Sequence, residues 1–349
     1  MRNYNIKPAD EKLRPVIQER IDNLNKPKGS LGRLESLAMQ ICLIQHTLEP
    51  KLSHPCHLLF GGDHGICQHG VSASPREVTW QQMINFTKGG GAVNMFCRQH
   101  GFRLMLIDVG VDHDLAEYED IYNRKIAYGT ADFFEGPAMT TEQFERAIAV
   151  GEEFAEKAYN EGCNVISMGE MGVANTSAAS LWMMLLGDFP LKDCIGAGSG
   201  LDDKGMDNKE NVLSIAFAKY LTHSKEEDSI EPILAYFGGF EMVAATGAML
   251  RAAELGMIIL VDGFIMTACA LAAAMINPDT YDYLVFCHEG DEHGHAMMLR
   301  MLNAQPLLRL NMRLGEGTGA LCAFPIVDSA VRMMTQMNTF DNAHITKYF

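Results

Sequence analysis

The chain has 349 residues, of which 48% are hydrophobic and 21% are charged. This length and composition permit a large buried core and exclude disordered, collagen-like and low-complexity proteins. Lysine and arginine number 28 against 44 aspartates and glutamates, and the resulting charge of −16 makes nucleic acids and anionic membranes poor partners. Glycine contributes 32 residues, about 9% against a usual value of about 7%, and this excess requires an explanation.

The compartment is predicted from the cysteines and the first residues. The nine cysteines are scattered and form no CxxC pair, so neither a disulfide framework nor a zinc ribbon is predicted. Residues 1–24 are charged throughout and lack the apolar core of a signal peptide, so we expect a cytoplasmic protein. The apolar stretch 256–276 contains Asp262 and Gly263, which predict a strand followed by a helix rather than a membrane span.

The predicted elements alternate along most of the chain. Amphipathic patterns at 9–24 and 34–48 predict two initial helices, and others predict helices at 141–161, at 241–254 and near the C-terminus. Short apolar runs predict six buried strands, at 57–60, 103–109, 164–168, 232–237, 257–261 and 282–287. Repeated strand, glycine-containing turn and helix predict an α/β fold built from parallel βαβ units.

The chain ends are predicted to form a small helical domain from residues 1–50 and 325–349, which leaves 51–324 as the α/β domain. In an open parallel sheet the turns after the strands emerge at the carboxyl edge, where ligands bind. We therefore expect many of the glycines to line one ligand-binding edge.

Two glycine-flanked carboxylates are candidates for chemistry. In GEGTGA at 315–320, Glu316 lies between glycines that allow close approach of a substrate, and a partly desolvated carboxylate there is suited to general base catalysis. In GEMGVANTS at 169–177, Glu170 follows a strand and is placed to accept a hydrogen bond from a ligand. The alternatives are a solvated turn for the first motif and a helix-capping turn for the second.

Two further glycine runs, KGGGAVN at 88–94 and GAGSG at 196–200, have the composition of phosphate cradles, and Lys204 and Lys209 follow the second. Plain turns are the alternative. Neither run matches a P-loop, and GAGSG lacks the third glycine of the dinucleotide fingerprint.

A histidine- and acid-rich run, HEGDEHGH at 288–295, offers metal ligands together with Asp63 and His64, but without a recognised ligand spacing. A metal-dependent hydrolase is thus a rival hypothesis, and structural hydrogen bonding is the favoured interpretation of these side chains. No GxSxG motif indicates a nucleophilic serine.

Taken together, eight segments in chain order resemble the nicotinate-nucleotide:5,6-dimethylbenzimidazole phosphoribosyltransferase family. They are NKPKGSLGRLE (25–35), the segment 61–94 beginning GGDHGICQHG, DVGVD (108–112), GEMGVANTSAAS (169–180), GAGSG (196–200), VDGF (261–264), HEGDEHGH (288–295) and GEGTGA (315–320).

The resemblance implies a Rossmann-like parallel six-stranded sheet flanked by helices, a small helical domain from both chain ends, and a homodimer. It implies transfer of phosphoribose from nicotinate mononucleotide to an aromatic base, giving an α-riboside 5'-phosphate for a cobamide and releasing nicotinate. Because the pyridinium leaving group carries its own positive charge, no metal and no cofactor are expected.

The resemblance also implies residue roles. Glu316 matches the catalytic glutamate. The acceptor base is expected to contact Glu170, Ser74, Gln82, Met171 and Gly290. The phosphate and ribose are expected to contact Gly172, Gly196, Gly198, Ser199, Gly200, Lys209 and Gly263.

Departures from the family pattern at Ala174, Ser177, Ser199 and Gly290 lie near this site and leave the acceptor open among benzimidazoles, purines and phenols. Two further alternatives are a subunit of a heteromeric phenol-activating relative and a degenerate subunit that supports an active paralog.

Overall fold

A computed structural model describes residues 1–223 and 229–349. Its strands are β1 Cys56–Gly62, β2 Arg103–Gly110, β3 Ile121–Asn123, β4 Val165–Met171, β5 Ile258–Val261, β6 Leu284–Phe286, β7 His288–Glu289 and β8 Leu308–Arg309. Its helices are α1 Arg14–Asn23, α2 Arg33–Gln45, α3 Val78–Thr87, α4 Ala92–His100, α5 Thr141–Asn160, α6 Asn175–Gly187, α7 Leu191–Cys194, α8 Asp203–His223, α9 Glu231–Phe237, α10 Phe240–Glu254, α11 Phe264–Ile276, α12 His295–Met301, α13 Thr318–Gln336 and α14 Phe340–Ala343.

Six strands form one parallel sheet in the order β3-β2-β1-β4-β5-β6, which confirms the predicted architecture. The order of the strands reverses between β1 and β4, where the crossovers leave in opposite directions along the sheet. β1 and β4 are buried along nearly their whole length, as expected for central strands covered on both faces. The carboxyl ends of β1, β4 and β5 consequently lie side by side at the position where ligands bind in such sheets.

One predicted strand is wrong. Residues 232–237 form helix α9, and the sixth strand of the sheet is β3, which was not predicted. Pro232 lies in the first turn of α9, where backbone N–H groups have no acceptor within the helix, so proline costs no hydrogen bond there. The run is apolar because Leu234 and Phe237 are buried, α9 being packed against α6. β3 escaped detection because it has only three residues and its last one is exposed.

Helices α5 and α10 pack backbone against backbone on one face of the sheet. A Cβ at Gly151 would lie 1.8 Å from the Ala244 carbonyl oxygen, and one at Gly247 would lie 2.4 Å from the Ile148 carbonyl oxygen. Only glycine allows the two helix axes to approach so closely. α10 is buried along almost its entire length, so this contact holds the helical layer against the strands.

The two chain ends lie together, since α2 packs against both α1 and α13. The Asn25 N–H donates to the Asn338 carbonyl oxygen at 2.8 Å, next to an antiparallel bridge between Leu24 and Thr339. The division into domains at residues 50 and 325 stays a prediction. Residue 325 lies inside α13, which begins beside the sheet.

The apolar stretch 256–276 divides as predicted, into strand β5 and helix α11. Across residues 1–223 and 229–349, no helix has the length and apolar character that crossing a membrane requires.

The α5–α10 contact predicts a large effect of a single methyl group. Gly151→Ala is expected to lower the free energy of unfolding by about 3 kcal/mol, because the added Cβ collides with rigid backbone. Gly136→Ala is the control, since a Cβ there meets no atom within 4 Å. Denaturant unfolding measures both, and a Gly151→Ala protein as stable as the Gly136→Ala protein would show that the helices have room to separate.

Candidate active site at the carboxyl edge of the sheet

A cavity at the carboxyl ends of β4 and β5 is lined by most of the predicted site residues. Ten of the thirteen line it: Glu316, Glu170, Ser74, Gln82, Met171, Gly290, Gly172, Gly198, Ser199 and Gly263. Lys209, Gly196 and Gly200 do not line it. The cavity therefore unites segments that are separated by more than 200 residues in sequence.

Glu316 lies in an unusual backbone conformation. Gly315, Glu316 and Gly317 have φ angles of +87°, +60° and +74°, three consecutive residues in the left-handed region. Such a conformation is unfavourable for a residue with a side chain and is typical of functional sites. A Cβ at Gly169 would lie 2.5 Å from the Glu316 carbonyl carbon, so β4 must present glycine where this loop crosses it.

The Glu316 carboxylate is held by the start of helix α4. The Val93 N–H donates to Glu316 Oε2 at 3.2 Å. The glycine run 88–94, a candidate phosphate cradle, thus binds a carboxylate of the chain itself. Burial raises the pKa of Glu316 above its ordinary value and the charge of Asp262 raises it further, while the Val93 N–H acts in the opposite direction. A carboxylate with a raised pKa is a stronger base.

Glu170, the penultimate residue of β4, is almost fully buried beside this loop. Asn175, at the start of α6, donates its side-chain N–H to Glu170 Oε2. Burial raises the pKa of Glu170 well above its ordinary range, the charge of Glu241 adds to this shift, and the Asn175 hydrogen bond opposes it. Burial therefore shifts Glu170 toward its protonated form, in which a carboxyl group can donate a hydrogen bond.

A buried pair lies beneath Glu170. His64 Nε2 and Glu241 Oε1 are 2.7 Å apart, and both side chains are fully buried. A Cβ at Gly239 would lie 2.3 Å from Glu241 Oε2. The pair thus occupies space that only a glycine in the preceding turn leaves free.

A second buried pair faces the cavity and consists of Asp262, directly after β5, and His288, the first residue of β7. Asp262 Oδ1 accepts from the Ala320 N–H at 2.9 Å and lies 3.3 Å from His288 Nε2. Burial alone would raise the pKa of Asp262, but its contacts with His288 and the Ala320 N–H outweigh burial and lower the pKa. The surroundings therefore favour the ionised form of Asp262, whereas burial shifts Glu170 toward its protonated form.

Lys209 lies behind the opposite end of the cavity. Its Nζ donates to Thr176 Oγ1 at 2.9 Å and to the Gly196 carbonyl oxygen at 3.0 Å. Burial lowers the pKa of Lys209 to about 8, and the charge of Glu292 opposes this shift. Thr176 lines the cavity, so the ammonium group reaches it through the threonine hydroxyl.

The histidine-rich run 288–295 uses its imidazoles for structure. His295 Nδ1 accepts from the Gly290 N–H at 2.8 Å, and its Nε2 lies 2.9 Å from Thr267 Oγ1. Burial lowers the pKa of His295 to about 3, so this ring is neutral. Within the described ranges, no three His, Cys, Asp or Glu side chains are grouped as ligands of a metal ion.

Several cavity residues lacked a predicted role at this site: Thr176, Asp262, His288, Glu292 and Arg313. Asp262 was detectable, because it directly follows a predicted strand just as Glu170 does. Arg313 and Thr176 carry no comparable signal, since their placement depends on how distant loops meet.

Comparisons with known proteins agree with the geometry. A family model described as phosphoribosyltransferase matches residues 6–345. The chain is similar to nicotinate-nucleotide–dimethylbenzimidazole phosphoribosyltransferases from Phocaeicola vulgatus, 53% identical over 100% of both chains, and from Dechloromonas aromatica, 44% identical over 99% of both. A crystal structure of CobT from Thermus thermophilus superposes with a TM-score of 0.92 at 35% identity, covering 97% of this chain and 100% of that one. The chain belongs to the nicotinate-nucleotide–dimethylbenzimidazole phosphoribosyltransferase family.

Proposed function

We propose that the protein transfers the phosphoribosyl group of nicotinate mononucleotide to an aromatic base, releasing nicotinate and giving an α-riboside 5'-phosphate for cobamide assembly. The observation that carries this proposal is Glu316, a buried carboxylate with a raised pKa in a left-handed loop at the rim of the cavity. Its role as general base is part of the proposal.

The reaction is a single displacement. A ring nitrogen of the acceptor forms a bond to C1' of the ribose while the bond from C1' to the pyridinium nitrogen breaks, and that electron pair leaves with nicotinate. The acceptor nitrogen loses its proton to Glu316. Because the leaving group is already cationic, positioning of the two reactants supplies much of the rate.

The acceptor end is formed by Ser74, Gln82 and Met171 beside Glu170. A protonated Glu170 donates a hydrogen bond to a lone pair of the acceptor, on the side away from the reacting nitrogen. Ala174, with φ of +77°, adds a methyl group where a glycine would adopt this conformation without strain, and it narrows the pocket.

The donor end is formed by Gly198, Ser199 and Thr176, with Lys209 behind them. Ser199 Oγ accepts from the Ser74 N–H at 3.2 Å, so the phosphate end and the acceptor end share one wall. Lys209 acts on the phosphate through Thr176 and the glycine backbone, as a positioning residue. Gly196 supports Lys209, and Gly200 shapes the turn with φ of +114°.

The homodimer and the cytoplasmic compartment are also proposals. All nine cysteines are unpaired thiols, as is usual in a reducing compartment. Light scattering on the purified protein tests the assembly, since a homodimer has twice the mass of the chain. A heterodimer with a paralog predicts instead that the chain alone is monomeric and inactive.

Product analysis tests the reaction. The purified protein is incubated with nicotinate mononucleotide and, separately, a benzimidazole, adenine and a phenol, with and without a chelator. We expect nicotinate release only with an acceptor and an α-configured product by NMR, unaffected by chelation. Acceptor-independent release, or loss of activity on chelation, would favour the metal-dependent hydrolase.

Glu316→Gln tests the proposed base. The amide keeps the size of the side chain but cannot accept the proton, so kcat is expected to fall by about 10²- to 10⁴-fold with little change in KM. The acid limb of the pH profile, which reflects loss of the base on protonation, is expected to disappear. Glu145→Gln, on the exposed face of α5, is the control. Wild-type turnover in Glu316→Gln would refute the role.

The pKa of Lys209 predicts a second dependence of activity on pH. Its pKa of about 8 means that it is charged below this pH and neutral above it, so kcat/KM for the donor should fall as pH rises through about 8. Lys209→Met should lower kcat/KM by roughly 10-fold or more and remove this limb. Lys204→Met, exposed on the same helix, is the matched control. An unchanged limb in Lys209→Met would assign it to another group.

A further inference from the structure

Asp262 is a buried carboxylate in the cavity for which the reaction described above has no use. Only 4% of the residue is exposed, and that exposure is toward the cavity that it lines. Among the described residues, no lysine or arginine forms an ion pair with Asp262. Lys209 donates instead to Thr176 and Gly196. A buried charge without such a partner is unfavourable unless something else compensates it.

The surroundings hold Asp262 in one position. The Ala320 N–H, in the first turn of α13, donates to Oδ1, and His288 Nε2 approaches the same oxygen. His288 is itself confined, since a Cβ at Gly319 would lie 2.0 Å from its Cδ2 and one at Gly263 would lie 3.1 Å from its Nε2. Gly263 and Gly319, which belong to two of the glycine motifs, therefore leave the space that this pair occupies.

The other ionisable groups near Asp262 do not neutralise it. Glu316 and Glu170 are acids, and the charge of Asp262 acts on both. His57, bonded through Nδ1 to Ser167 Oγ at 2.6 Å, has its pKa lowered to about 4 by burial. His295 is neutral for the same reason. Besides the His288 contact and the Ala320 N–H, a cationic ligand in the cavity is the group that would add further balancing charge to Asp262.

We propose that Asp262 is a specificity-determining residue, whose negative charge selects a donor with a positively charged ring nitrogen. This inference rests on the proposed function, in which the donor is a pyridinium riboside. A cation that enters the cavity loses part of its hydration and gains attraction to Asp262, whereas a neutral N-glycoside gains nothing from this charge. The same charge stabilises positive charge on the ribosyl group as the bond to the ring breaks.

The test compares two donors that differ in ring charge. One is nicotinate mononucleotide, and the other is its 1,4-dihydro form, whose ring nitrogen carries no formal charge. Equilibrium binding of each is measured by calorimetry without acceptor. The wild-type protein should bind the cationic donor roughly 10-fold more tightly or better, and Asp262→Asn should reduce this ratio toward unity.

His288→Gln is the companion variant, because it disturbs the same pair but leaves the Asp262 charge in place. It should keep the preference for the cationic donor within about threefold of the wild-type ratio. Asp108→Asn, at the end of β2 and outside the cavity, controls for loss of a buried carboxylate.

Three results would overturn the inference. The wild-type protein could bind the two donors equally, Asp262→Asn could keep the wild-type ratio of the two affinities, or His288→Gln could lower that ratio as much as Asp262→Asn does. The first needs no variant, so a failure of Asp262→Asn to fold does not prevent the test. The proposed function fails separately, if the wild-type protein releases no nicotinate with any acceptor.

Discussion

Ionisable side chains buried at the carboxyl edge of the sheet occupy space that only glycine leaves free, and the rest of the site depends on this packing. A Cβ at Gly315 would lie 2.5 Å from Glu170, one at Gly319 would lie 2.0 Å from His288, and one at Gly239 would lie 2.3 Å from Glu241. The glycine excess of the sequence thus has two uses. Some glycines shape turns toward a ligand, and others accommodate the acids and imidazoles beneath those turns.

Burial and local hydrogen-bond donors shift the pKa values of neighbouring acids in opposite directions. Glu170 and Glu316 have raised pKa values because burial favours their neutral forms, while Asp262 has a lowered pKa because donors are directed at its carboxylate. In the proposed function, this divergence provides a hydrogen-bond donor, a base and a fixed charge from three similar side chains. The proposal also has an acidic chain hold a phosphorylated substrate with backbone N–H groups and one lysine rather than with a basic surface.

The sequence predicted the fold class and five of the six strands, because apolar runs and the residues that follow them are local signals. Most of the ten predicted site residues that line the cavity were identified through the family resemblance, and their roles stay predictions. It failed at 232–237, where an apolar run buried against α6 forms a helix, and at β3, where three residues are too few for a pattern. Lys209, predicted at the donor phosphate, does not line the cavity and contacts it through Thr176, and its role stays a prediction. The pairing of Asp262 with His288 depends on how two strand ends meet, which no local pattern contains.

Glu170 and Asp262 are expected to differ in protonation within one cavity, and neutron diffraction from deuterated crystals at a pD near neutrality observes this difference. Nuclear density shows the deuterons on each carboxyl group, without a mutation and without a turnover assay. We expect a deuteron on Glu170 and none on Asp262. A deuteron on Asp262 with Glu170 deprotonated would contradict this expectation.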